Sequence, residues 1–192
     1  KDGHTVTSLV RSEDQVETVE AGGAQALVAD IETMNANQFA DVLRGHDVVV
    51  WSAGAGGGNP ERTYRIDRDG AICSIQGALI AGVPRYIMVS YVGSKTNHGV
   101  DSESSFYPYA QSKMIADAVL RDSGLEWTIV APSTLTLEPG TGKVEHAATS
   151  GQVPRADVAA VVAQCVRDPQ TIDRTLRFNS GDVPVEEYVV AD

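Results

Sequence analysis

Tyr109 and Lys113 stand four positions apart and form the pattern Y-x-x-x-K. On a helix, positions i and i+4 share a face, so a phenol and an ammonium can meet at one substrate. An unperturbed phenol titrates near ~10, and a neighbouring cation favours its phenolate. Such a phenol can exchange a proton with a carbonyl or a hydroxyl while a hydride moves. The motif alone is common. Its place raises it, because it lies between the run Arg85–Val89 and the segment Ser123-Gly124-Leu125-Glu126-Trp127. A second candidate is Ser52-Ala53-Gly54-Ala55, which leaves an apolar run ending at Trp51. Ligands of open α/β sheets gather at the carboxyl ends of strands, where small residues let a ligand approach the backbone. Arg11 and Asp30 end two further short runs, Thr5–Val10 and Ala26–Ala29.

The elements that must hold these residues alternate along the chain. Strands are predicted at Thr5–Val10, Ala26–Ala29, Asp47–Trp51, Arg85–Val89, Trp127–Val130 and 174–179, with helices at about 38–43, 64–81, 107–122, 155–167 and 184–190. The runs Val48–Val50, Ile87–Val89 and Thr128–Val130 do not alternate apolar with polar residues. Strands buried on both faces look like this. Strands alternating with helices imply βαβ units. The expected architecture is therefore α/β, a doubly wound and mostly parallel Rossmann-like sheet. Residues 1–192 read as one domain, without repeat, low-complexity tract or linker.

Composition narrows the function. A net charge of −11 repels phosphate backbones, so nucleic acid is not an expected partner. A small phosphorylated ligand still fits, since a pocket needs only one or two local cations. No apolar run approaches the ~20 residues of a membrane-spanning helix, and no targeting segment opens the chain. A cytoplasmic protein is the expectation. Cys73 and Cys165 make no disulfide framework. The four histidines, His4, His46, His98 and His146, show no paired ligand spacing, so no metal site is expected. Nothing in the sequence sets an oligomeric state.

Taken in order, these segments resemble an atypical short-chain dehydrogenase/reductase, in the NADP-binding, NmrA-like branch named for sugar epimerases. The resemblance is carried by Gly3–Arg11, Val28-Ala29-Asp30, Asp47–Gly54, Ile66-Asp67 with Gly70-Ala71, Gly82–Ser90, Tyr109–Lys113, Ser123–Val130, Leu135–Gly142 and Pro154–Ala159. Each piece is weak alone; their order and spacing are specific.

The resemblance implies NADP as cofactor rather than NAD. It places Arg11 beside the adenosine ribose, where an arginine accommodates a 2′-phosphate and Ser12 adds a hydroxyl. The residues themselves also allow Ser12 to pair with Gln15 in a capping box, leaving Arg11 solvated. Asp30 would border the adenine, or else cap the following turn. Ser52, Ala53, Gly54 and Ala55 would lie along the cofactor, Lys113 would hold the nicotinamide ribose, and Pro132-Ser133 would meet the nicotinamide amide. Ser90 would assist catalysis or face the cofactor. Two positions depart from active relatives. Tyr91 occupies the slot of an assisting serine, and Asp67 replaces an asparagine, so an ionised side chain there accepts but cannot donate.

Two functions remain open at this point. One is an NADP-dependent oxidoreductase or epimerase acting on a small carbonyl or alcohol, with Tyr109, Lys113, Ser90 and Asp67 as its catalytic set. The other is an NADP-binding sensor that acts through a protein partner, which Tyr91 and Asp67 favour. Little chain follows residue 150, so bulky sugar nucleotides do not suit the first reading. One further expectation concerns the start, Lys1-Asp2-Gly3-His4. A doubly wound sheet of order 3-2-1-4-5-6 has its first strand at the centre, followed by a glycine-rich phosphate turn. No G-x-G-x-x-G occurs here in that context, and Gly54–Gly58 meets Asn59-Pro60, which does not read as a helix start. A preceding βα unit of roughly 20–30 residues is expected outside this chain, with an open groove between Thr5–Val10 and Val48–Val50.

Overall fold

Short β-branched runs build the sheets of the computed structural model, which describes residues 3–147 and 150–191. The strands are β1 (Thr7–Val10), β2 (Gln25–Val28), β3 (Val48–Trp51), β4 (Arg85–Val89), β5 (Glu126–Pro132), β6 (Thr134–Thr136), β7 (Lys143–His146), β8 (Gln152–Pro154), β9 (Arg174–Ser180) and β10 (Val183–Pro184). The helices are α1 (Val16–Ala21), α2 (Ala36–Leu43), α3 (Pro60–Thr63), α4 (Ala71–Ala81), α5 (Tyr107–Arg121), α6 (Arg155–Arg167) and α7 (Val185–Tyr188). A π-helical stretch, Tyr64–Gly70, joins α3 to α4.

Strands β3, β4, β5 and β9 pair in parallel, and antiparallel β7 and β10 extend that sheet. Side chains alternate across it, as the pleat requires. Tyr86 and Met88 of β4 join Phe39 of α2, Ile75 of α4 and Leu120 of α5 in one core cluster. Ile87 between them joins Val161 of α6, Phe178 of β9 and Tyr188 of α7 in another. Helices thus cover both faces, as the unbroken apolar runs predict. Arg85 is buried beneath β4 and fully engaged, donating to the carbonyls of Glu126 and Cys165 and to the hydroxyls of Thr128 and Thr171.

β1 and β2 pair only with each other among the described residues. His46 Nε2 lies 3.1 Å from Thr7 Oγ1, yet β1 and β3 exchange no ladder bonds. As expected, these two strands do not pair with each other. One reading is corrected: Val50, in a run expected to be buried on both faces, is 43% exposed, although Val48 on the same side of the strand packs against the second core cluster.

Two local readings need correction. Asn59-Pro60 does start a helix: the Asn59 side chain accepts from the Arg62 N–H and Pro60 takes the first helical position. Asparagine at the N-cap followed by proline is a favoured start. The stretch between residues 133 and 154, given no elements from the sequence, carries β6, β7 and β8. Its anchor is Asp157, which accepts from the N–H groups of Thr141 and Gly142 and so ties the Glu138–Gly142 turn to α6. Among the described residues no helix is long and apolar enough to cross a membrane, and no group of three or more His, Cys, Asp or Glu could hold a metal ion.

Gly77 sets how closely α4 meets α2. A Cβ there would lie 2.5 Å from Phe39 Cβ and 3.0 Å from the Ala36 carbonyl oxygen. Gly77→Ala must push the helices apart. Overpacking costs ~1–3 kcal/mol, and the better helix propensity of alanine offsets up to about 1 kcal/mol. A net loss of about 1–2 kcal/mol is expected, read as a lower urea midpoint at unchanged slope; an unchanged midpoint would show that α2 yields freely.

Candidate active site

The carboxyl ends of β1, β2 and β3 surround a cleft of about 360 Å³. Its walls include Val10 and Arg11 after β1, Asp30 and Ile31 after β2, and Ala53, Gly54 and Ala55 after β3. Five of the sequence-predicted cofactor residues thus meet at one place. The Arg11 guanidinium makes no hydrogen bond or ion pair among the described residues, while its N–H donates to Gln15 Oε1 at 2.9 Å. Asp30 does what the turn reading says, accepting from the Glu32 N–H at 3.1 Å, and lines the cleft as well. A second cation stands opposite. Arg62 donates to the Ala55 carbonyl at 2.6 Å and to Glu32 at 3.1 Å. Sequence reasoning missed Arg62, which comes near Arg11 only through the fold.

Gly54 is shared with a second cleft of about 370 Å³ that reaches Asp67, Phe106 and Tyr109. Gly56, Gly57 and Gly58 form one wall with φ of 78°, 82° and 84°; three successive left-handed residues require glycine. A Cβ on Gly54 would come within 3.0 Å of Asp67 Oδ1, so the backbone there is bare and close to the carboxylate. Asp67 sits in the π-helical stretch, an uncommon geometry that recurs at functional sites. Its Oδ2 accepts from the Ala55 N–H at 2.9 Å, and Oδ1 has no hydrogen-bond partner among the described residues.

Behind this cleft lies a buried row of charge. Lys113 is 3% exposed; its Nζ donates to the Val89 carbonyl at 2.9 Å and stands 3.9 Å from Asp67 Oδ1. One turn further along α5, Asp117 Oδ2 accepts from the hydroxyls of Ser90 at 2.7 Å and Ser94 at 2.5 Å. Burial raises the Asp67 and Asp117 carboxyls and lowers the Lys113 ammonium, and their mutual attraction offsets part of each shift. The Tyr109 phenol is also raised, first by burial and then by Asp67, Tyr91 and Asp117. This corrects the expectation that a neighbouring cation favours the phenolate. Lys113 lies under the ring face, 5.9 Å from its centroid, and is committed to Val89, so the phenol keeps its proton.

The other predicted residues lie apart from both clefts. Ser52 is exposed and lines neither. Ser12 Oγ turns to Gln15 Oε1 at 3.4 Å and accepts no capping bond; Gln15 closes back on Arg11 instead. The Ser90 hydroxyl is directed at Asp117 rather than at Tyr109. Pro132 and Ser133 continue the sheet, with the Ser133 N–H donating to Phe178 and its hydroxyl accepting from the Gly151 N–H. Asp117 was missed, although it repeats the step from Tyr109 to Lys113 on the same helix face.

Residues 1–169 match the model of the NAD(P)H-binding family. The chain belongs to that family. It is 35% identical over 187 residues to a Bacillus subtilis protein named "Uncharacterized sugar epimerase YhfK", covering 96% of this chain and 86% of the relative. It is 30% identical over 194 residues to UPF0659 protein YMR090W of Saccharomyces cerevisiae, with the same coverage. The solved structure of a Bacillus halodurans protein assigned as an NAD-dependent epimerase/dehydratase superposes with a TM-score of 0.88 at 34% identity, covering 97% of this chain and 87% of that one. The site suits the cofactor of an NAD(P)H-binding protein. Two clefts joined at a bare glycine suit an elongated two-part ligand, and an unpaired guanidinium borders one end.

Asp117 offers a test of the buried row. Below the unfolded carboxyl pKa, near ~3.9, it is protonated in both folded and unfolded chains. Its folded pKa is raised, so the stability it contributes is present there and is lost as pH rises through the folded value. Asp117→Asn cannot titrate. Relative to this variant, the wild-type protein should lose unfolding free energy as urea titrations move from about pH 4 to neutrality; parallel pH profiles would show that Asp117 carries no such shift.

Proposed function

We propose that this protein is an NADP-dependent oxidoreductase or epimerase acting on a small carbonyl or alcohol, with Tyr109 as its proton donor. One observation carries the reading: a phenol held protonated by burial faces an open cleft and makes no hydrogen bond among the described residues. A general acid must keep its proton until the substrate takes it. A bound reduced dinucleotide supplies hydride to a carbonyl carbon. Tyr109 Oη gives its proton to the carbonyl oxygen. Asp67, on the same cleft, holds the loop after β3 through the Ala55 N–H and pairs with Lys113. Lys113 holds the floor beneath Tyr109 and balances Asp67.

Arg11 supports NADP over NAD. It is a free cation at the adenosine end of a strongly acidic protein, where a 2′-phosphate would lie. Arg62 adds a second positive charge across the cleft. The Ser12 hydroxyl beside Arg11 is turned to Gln15 Oε1.

Arg11→Ala should weaken NADP binding by several-fold to tens of fold and leave NAD nearly unchanged, since a charge-assisted contact to phosphate is worth ~1.5–3 kcal/mol. Calorimetry with both dinucleotides checks this, and equal losses would reject the assignment. Tyr109→Phe should abolish NADPH consumption across a carbonyl panel while NADP affinity falls little. Full turnover in that variant would remove Tyr109 from proton transfer. A wild-type protein that binds NADPH and consumes none would instead be a sensor of the cofactor.

A further inference from the structure

Two relatives carry the words epimerase or dehydratase, and the cleft at Tyr109 bears on what it can accept. Among the described residues no lysine or arginine lines it. Lys113 lies beneath, turned to Val89 and Asp67. Arg62 and Arg65 both pair with Glu32, and Arg62 lines the other cleft. Among the described residues the carboxylate on the wall is Asp67, whose buried Oδ1 accepts no hydrogen bond and stands 3.9 Å from Lys113 Nζ. A diphosphate brought here would find no cation on the wall to meet it, and phosphate recognition depends on arginine or lysine. The remaining wall is mostly apolar, with Phe106, Pro60 and Pro108 beside the uncharged polar Asn59, Thr63 and Ser105. Phe106, 45% exposed, packs its ring 5.3 Å from Tyr109 and 5.5 Å from Tyr91.

We propose that the substrate class is an uncharged, flat carbonyl compound, an aryl ketone or aldehyde, seated against Phe106 with its oxygen at Tyr109, and not a sugar nucleotide. This rests on the reading of Tyr109 as proton donor to a carbonyl. The aryl face stacks on the exposed ring of Phe106, as aromatic pairs do at 4.5–7 Å. The glycine wall brings backbone rather than side chains to the other face.

Saturation-transfer NMR on the full chain with NADP⁺ present tests this without turnover. The probes are 2-acetonaphthone, uncharged and flat, and UDP-glucose, a charged sugar nucleotide. The ketone should give transfer and UDP-glucose none. Phe106→Ala should weaken ketone binding by about tenfold with NADP⁺ affinity unchanged. Transfer to UDP-glucose displaced by no ketone overturns the proposal, as does silence from both probes while NADP⁺ binds. Ketone binding unmoved by Phe106→Ala overturns the seat assigned to it. A chain that fails to bind NADP⁺ in the same samples overturns the underlying functional reading instead.

Discussion

An ammonium group in a protein interior costs several kcal/mol unless its charge and its protons are met. Lys113 meets that demand with the Val89 carbonyl and with carboxylates on either side of it along the core. The consequence is structural as much as chemical. Asp67 fixes the loop after β3 through the Ala55 N–H. Asp117 fixes the exit of β4 through Ser90 and Ser94. Remove the cation, and two buried carboxyls lose their shared partner while β3, β4, α5 and the π-helical stretch lose a common tie. Tyr109 is positioned by this arrangement. Its phenol has no protein bond to orient it, only the helix it rides on and the rings of Tyr91 and Phe106.

The same arrangement explains why the site keeps protons. Burial raises acids and lowers bases, and this row contains two acids, a phenol and one amine. The amine is spent on the acids. It has little to lend the phenol, which lies above negative groups and stays neutral. A phenol so placed is suited to give a proton rather than to take one.

Much of this was legible in the sequence, and the parts that were not share a cause. Strand and helix order followed from apolar runs and their period. The i, i+4 spacing of Tyr109 and Lys113 put both on one helix face, and the carboxyl-end rule brought Arg11, Asp30 and Ala53–Ala55 to one cleft. Three things depended on direction rather than position. Lys113 points under the Tyr109 ring and is spent on Val89 and Asp67, so burial and the nearby acids set the phenol instead. Ser90 points into the core, which removes it from the reacting atoms. Val50 lies exposed on the end strand of the main sheet, a position no periodicity can register. Arg62 depended on tertiary proximity, since the chain places it 51 positions from Arg11. Asp117 was readable as a third step of the same stripe, but a lone acid in a helix ordinarily marks a solvated face.

The two clefts meet at Gly54, and that junction limits the ligand from both ends. On one side Arg11 and Arg62 concentrate positive charge in a protein of net charge −11; on the other the described wall offers Asp67, uncharged polar groups and mostly apolar surface. Any side chain at Gly54 would press on Asp67 Oδ1 and close the passage between these opposite environments. A ligand that uses both must therefore be anionic at the β1 end and uncharged near Tyr109. A phosphorylated adenosine satisfies the first condition, and a neutral carbonyl compound meeting it at the passage satisfies the second.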